Sequence, residues 1–339
     1  MRQFEEQVGS LFPCRHVRPN YDRPEEFSVR QKTRLRRRPK LPLPMSSEDW
    51  GKDSPPLSPR NGPRTDLGTG RTATGPGSRL SFRNVFVRYP GSEVDAVSGA
   101  SLDLHREKIV IVGPNGCGKS SLLKAALGLA PVTQGTVRVL GEDVRSIHGR
   151  TGVGTNLEEV YRLMTVPVGR LISIWAALKG GSDVDLRRSI DAFGLTSVVD
   201  RPLFRLSTGQ TKLIGNLFAL AFAPQLVLLD EPFDNVDFAR RRKCIDLLLR
   251  SDASIALNTH ELDLLHSFPD WGLFFMFEGQ LIGRFRAGDI DRLYVNRGVR
   301  EDSLAQFHTS LGEVSVTLGR GEVPMKAAAN LDYLLDRIS

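Results

Sequence analysis

Gly113-Pro114-Asn115-Gly116-Cys117-Gly118-Lys119-Ser120 is the stretch on which the fold of this chain turns. Two glycines enclose four positions, and a lysine and a serine follow. The apolar run Ile109-Val110-Ile111-Val112 precedes it with the length of a buried strand. Ser121-Leu122-Leu123-Lys124-Ala125-Ala126-Leu127 continues it as the start of a helix. A strand, a glycine-rich turn and a helix start aim backbone N–H groups inward at phosphate oxygens, with the positive end of the helix behind them. In such a loop Lys119 reaches the β- and γ-phosphates of a nucleotide and the Ser120 hydroxyl ligates Mg²⁺. The competing reading is a glycine turn with a surface lysine.

Outward from the loop, strands alternate with helices. Leu80 to Tyr89, Gly99 to Leu104 and Gly135 to Leu140 read as strands, and residues 157–222 are mainly helical in character. A very apolar strand, Gln225 to Asp230, is followed by a helix from Phe238 to Arg250, a strand from Ser254 to Asn258 and a short helix from Glu261. Gly272 to Phe277 and Gln280 to Phe285 pair like a hairpin. This alternation predicts an α/β fold with a mostly parallel sheet.

Further motifs stand at the ends of these elements. Leu206-Ser207-Thr208-Gly209-Gln210 precedes a helix, with Ser207 as a small N-cap. Asp230-Glu231-Pro232 closes the apolar strand. An aspartate there can hold Mg²⁺, and the adjacent glutamate can polarise an attacking water. Asp237 and Thr259-His260-Glu261 follow in order.

In this order the motifs resemble the ATP-binding cassette (ABC) ATPases, the nucleotide-binding subunits of ABC transporters, and the export type among them. The resemblance covers residues 79–290. It implies the P-loop NTPase core of the ABC ATPase fold, with an antiparallel β subdomain and a helical subdomain at about 157–222. It also implies ATP and Mg²⁺ as ligands, with the loop residues Gly113 to Ser121 and Asp230 around them. By the same resemblance two cassettes, as homodimer or heterodimer, meet head to tail. Ser207, Gly209 and Gln210 then address the γ-phosphate held by the other subunit, and Asp237 makes a contact across the dimer. Glu231 is the implied general base and His260 the γ-phosphate sensor. Tyr89 falls where the family stacks an aromatic on adenine; the alternative is a strand-edge aromatic. The implied partner is a separate membrane permease subunit, with the chain peripheral on the cytoplasmic face of the membrane.

Departures from the family pattern are few. Glu158 aligns with the glutamine that normally faces Mg²⁺ and the attacking water, a variant of export-type cassettes; a solvated loop acid is the alternative. Thr208 replaces the first of two signature glycines. Leu213 stands where an arginine is common, and Lys212 precedes it. Leu171, Ile172, Ile174 and Trp175 suit either a groove for the permease or plain core.

Composition limits the remaining options. The 339 residues carry a net charge of +7, much of it before residue 80, and three cysteines that make no disulfide framework. No apolar run approaches the ~20 residues of a membrane span. Residues 1–78 are basic and proline-rich, without helical or strand periodicity, and are expected to be disordered. Their acidic opening, Glu5-Glu6, is unlike a signal peptide. Met45 is an alternative start. Residues 291–339 match no known element; Glu313 to Leu318 alternates like a strand, and Lys326 to Ile338 is amphipathic. The rival functions are a soluble non-transport ABC ATPase acting on ribosomes or nucleic acid, and a regulatory cassette with little turnover. Only the basic tail favours nucleic acid, so no specific nucleic-acid partner is expected. Glu231 and His260 argue against the regulatory cassette.

Overall fold

The computed structural model describes residues 77–146, 152–161, 165–310 and 312–325. The expectations for residues up to 76 and for Lys326 to Ile338 lie outside the described residues. In chain order the main elements are β1 (Leu80–Val87), β2 (Val97–Leu104), β3 (Lys108–Val112), α1 (Lys119–Ala126), β4 (Val132–Val139), β5 (Glu142–Asp143) and β6 (Val153–Thr155). Then come α2 (Val168–Lys179), α3 (Asp183–Ala192), α4 (Thr208–Leu220), β7 (Leu226–Asp230), α5 (Phe238–Arg250), β8 (Ser254–Thr259), β9 (Gly272–Phe277) and β10 (Gln280–Arg286). The last four strands are β11 (Leu293–Arg297), β12 (Ala305–Thr309), β13 (Gly312–Leu318) and β14 (Val323–Pro324).

The central sheet has the order β10-β9-β3-β8-β7-β6, parallel from β9 to β6, with β10 antiparallel at the edge. Side chains alternate across it. Ile109, Ile111, Leu226 and Leu228 join one core with β1, β2, β4 and α1, whereas Val110, Val112, Val227 and Leu229 join another with α2 to α5. Burial on both faces explains why these strands read as unbroken apolar runs. The register sets Val112 beside Thr259 and Asp230 beside Asn258. The loops after β3, β7 and β8 therefore leave from the same edge of the sheet, where ligands gather in open α/β sheets.

A separate antiparallel sheet, β2-β1-β4-β5, covers α1. Between residues 157 and 222 lie α2, α3 and α4 with short 3₁₀ turns. Leu171 and Ile172 are fully buried, so at these two positions core packing prevails over an open groove. Trp175 is half-buried against Tyr161 and Phe218, with ring centroids 5.3 and 6.0 Å away.

After residue 290 the chain builds a third sheet, β12-β13-β11-β14, all antiparallel. Glu313 to Leu318 is strand, while β11, β12 and β14 are elements the sequence pattern did not reveal. Phe307 stacks on Phe277 at 5.1 Å, and Gln280 donates to the His308 carbonyl, which ties this sheet to β9 and β10. No helix among the described residues is long and apolar enough to cross a membrane.

Candidate functional site

Steric demand explains the loop glycines. Gly118 has φ +109°, and a Cβ there would lie 2.0 Å from the Ala96 carbonyl oxygen; a Cβ on Gly113 would lie 2.3 Å from that of Met276. Between them Pro114, Asn115, Gly116 and Cys117 turn the chain, with the Cys117 N–H donating to the Pro114 carbonyl at 3.4 Å. The Gly279 N–H donates to Cys117 O at 2.9 Å and pins the loop to the β9–β10 turn.

Lys119, only 5% exposed, opens α1. Its ammonium donates to the carbonyls of Gly113 at 2.7 Å and Pro114 at 2.9 Å, and lies 3.6 Å from Glu231 Oε1. The next residue, Ser120, donates from Oγ to Asp230 Oδ1 at 2.8 Å. Asn258 Nδ2 donates to the same Asp230 oxygen at 2.6 Å, so loop and strands are joined through one shared carboxylate acceptor.

Glu231 turns away from the strand with φ +43°. A non-glycine residue in that region costs roughly 1–3 kcal/mol, which its surroundings must offset. Asn258 supplies part of this: its Oδ1 accepts from the Glu231 N–H at 2.9 Å. The Glu231 carboxylate meets His260 Nδ1 at 3.1 Å through Oε2, while Oε1 is buried with no hydrogen-bond partner among the described residues. Burial pushes this carboxyl above the ordinary glutamate range; the charges of Lys119 and His260 pull it back, and Asp234 pushes it up again.

A buried ammonium, with a hydroxyl and a carboxylate on the same edge, suits a bound polyphosphate and its cation, and Glu231 Oε1, ion-paired to the lysine, accepts no hydrogen bond among the described residues. The oxygen set of Ser120 and Asp230 fits a hard divalent cation. Glu231 Oε1 is free to take a proton from water.

The remaining predicted residues are dispersed. Ser207 caps α4 in a capping box: its Oγ accepts from the Gln210 N–H at 3.3 Å, and Gln210 Oε1 accepts from the Ser207 N–H at 3.1 Å. Gly209 presses on the loop after β7, where a Cβ would lie 2.1 Å from the Asn235 carbonyl oxygen. Asp237 caps α5, accepting from the Arg240 N–H at 3.0 Å. The Tyr89 hydroxyl donates to Ser121 Oγ at 3.2 Å, which sets its ring beside the start of α1. Among the described residues no hydrogen bond or ion pair joins Ser207, Gly209 or Gln210 to the phosphate loop.

Glu158 is exposed in a 3₁₀ turn, and no hydrogen bond or ion pair among the described residues links it to Ser120, Asp230 or Glu231. Asn156 holds the place beside the strand end instead. It is 3% exposed, and its amide exchanges two hydrogen bonds with the Asp230 backbone, at 2.7 and 3.1 Å. The physical reason is the three-residue strand β6, which ends at Thr155 next to β7 and delivers the following residue to Asp230. Lys212 and Asn216 on α4 are also at the site: Lys212 donates to the Asp230 carbonyl at 3.1 Å and Asn216 to that of Pro232 at 2.7 Å.

Residues 97–234 match the family model described as ABC transporter. A protein of Nostoc sp. (strain PCC 7120 / SAG 25.82 / UTEX 2576), described as an ABC transporter ATP-binding protein, is 30% identical over 227 residues, covering 63% of this chain and 82% of its own. A taurine import ATP-binding protein of Jannaschia sp. (strain CCS1) is 27% identical, over 54% of this chain and 72% of its own. The crystal structure of a cobalt transport ATP-binding protein is 30% identical with a TM-score of 0.70, covering 76% of this chain and 99% of that one.

Proposed function

We propose that this chain, which belongs to the ABC transporter ATP-binding family, couples ATP hydrolysis to a separate membrane permease through a head-to-tail pair of cassettes. The chain has the ABC ATPase fold and is an ATP-binding, ATP-hydrolysing protein. The observation that carries the mechanism is the meeting of Lys119, Ser120, Asp230, Glu231 and His260 at one edge of the central sheet.

Lys119 and the loop N–H groups of residues 113–121 hold the phosphates. Ser120 and Asp230 would hold Mg²⁺, which when bound neutralises charge on the β- and γ-phosphate oxygens. Glu231 Oε1 takes a proton from the attacking water as its oxygen bonds to the γ-phosphorus and the bond to the bridging oxygen breaks. ADP and phosphate leave. His260 holds Glu231 Oε2 and orients the carboxylate. Tyr89 is placed to stack on the adenine. Ser207, Gly209 and Gln210 present the N-terminus of α4 to the γ-phosphate of the other cassette, with Asp237 at the contact between the two.

A cleft of about 290 Å³ between the Glu158 turn and α4 supports permease docking. Phe204 on its rim is 69% exposed. In this account the chain is peripheral on the cytoplasmic face. Outward transport is suggested by the Glu158 variant, whereas a relative named for taurine import also matches. Transport is therefore assigned without a direction. The test is affinity capture of Glu231→Gln protein with ATP from solubilised membranes of its native host. Stoichiometric recovery of a polytopic membrane protein is expected. Ribosomal proteins or nucleic acid with no membrane protein would replace transport by the non-transport function.

A further inference from the structure

Two buried amides join the signature helix to the turn that carries the proposed base. Asn216, 2% exposed, accepts at Oδ1 from Asn156 Nδ2 at 2.9 Å and donates from its own Nδ2 to the Pro232 carbonyl at 2.7 Å. Asn156 in turn accepts from the Asp230 N–H and donates to the Asp230 carbonyl. Lys212, one helical turn before Asn216 and on the same face, donates to that carbonyl as well. Helix α4 is thus hydrogen-bonded to the backbone on both sides of Glu231.

An amide at 216 is costly for a core of leucine and phenylalanine unless every polar atom finds a partner, and here each does. Glu231 holds a left-handed backbone between the two anchored residues. Its carboxylate direction follows from that backbone, so whatever fixes Asp230 and Pro232 aims the base. We infer that Asn216 is a positioning residue for hydrolysis, acting through Asn156 and Pro232 on Glu231. It makes the catalytic turn follow α4, the helix whose other end is the LSTGQ segment. This role rests on Glu231 as the base.

The test compares Asn216→Leu and Asn216→Asp with the parent in the full chain, reading ATP affinity, kcat and its pH profile, with melting temperature alongside. Asn216→Leu keeps the branched shape, with bulkier methyl groups, and removes every hydrogen bond of the amide, those to Asn156, Pro232 and the Cys244 sulfur. Its ATP affinity is expected within about threefold of the parent while kcat falls by about 10²-fold, the cost of a small misplacement at a reacting centre. Asn216→Asp keeps the shape. Burial favours its neutral acid, which still donates to Pro232 at low pH and loses that donor as it ionises. The ratio of its kcat to that of the parent is therefore expected to fall as pH rises.

A parent-like kcat in Asn216→Leu would overturn the role, as would a loss of affinity that matches the loss of kcat. If that variant does not fold, a pH-independent ratio for Asn216→Asp overturns it. Full hydrolysis by Glu231→Gln would instead remove the base assignment itself, a separate result.

Discussion

Oε2 of Glu231 lies 3.1 Å from Nδ1 of His260 and also accepts the His260 backbone N–H at 3.3 Å. One carboxylate oxygen is thereby held, and the other is left toward Lys119. This division of labour within a single side chain organises most of what the site is expected to do.

The pH dependence of hydrolysis follows from the same carboxylate. Burial raises its pKa above the ordinary glutamate range, and a base works only when ionised. Hydrolysis is expected to fall as pH drops through that raised value. Asp234 adds to the rise, so Asp234→Asn should move the acid limb to lower pH, measured as kcat against pH. The sign for stability is the opposite: the folded chain holds this proton more tightly than the unfolded chain. The contribution is full below the ordinary glutamate value and is lost as pH rises through the folded one.

Lys119→Ala removes the ammonium from a buried site and strips the phosphates of their nearest fixed cation. ATP affinity should fall by about 100-fold or more, equivalent to about 2.7 kcal/mol. Titration with a fluorescent ATP analogue would show it. Unchanged affinity would contradict the loop assignment.

Gly209→Ala places a Cβ about 2.1 Å from the Asn235 backbone oxygen, in a loop where Asn235 already has φ +58°. Backbone must shift, at an expected loss of about 1–3 kcal/mol in stability. Hydrolysis should fall with it, because Gly209 and Asp237 lie on the segments forced apart. A melting curve and a steady-state assay that both match the parent would contradict this packing.

Long, strongly patterned elements were legible in the sequence. The helix from Phe238 to Arg250 has the limits expected of it, and the buried strand ending at Asp230 was found because burial on both faces leaves an unbroken apolar run. Short edge strands were not. β6 has three residues, and its only signal is Val153-Gly154-Thr155, where Gly154 lets the strand approach the Ala219 carbonyl of α4: a Cβ there would lie 1.8 Å from it. That strand brings Asn156 to Asp230, a contact that no motif announced. Asn216 and Lys212 carried no motif; their place at the site depends on how α4 lies across β7, which local pattern does not specify. Strands β11 and β12 have five residues each and β14 has two, and β11 finds both partners beyond β12, which local pattern does not reveal.

Light scattering on the full-length Glu231→Gln protein, with and without saturating ATP and Mg²⁺, decides whether two cassettes pair on nucleotide. With hydrolysis blocked, two cassettes should close on two nucleotides, and the mass should double from the 37.6 kDa of one chain only when ATP is present. A monomer mass at saturating ATP would contradict the head-to-tail pair, and with it the roles given to Ser207, Gly209 and Gln210.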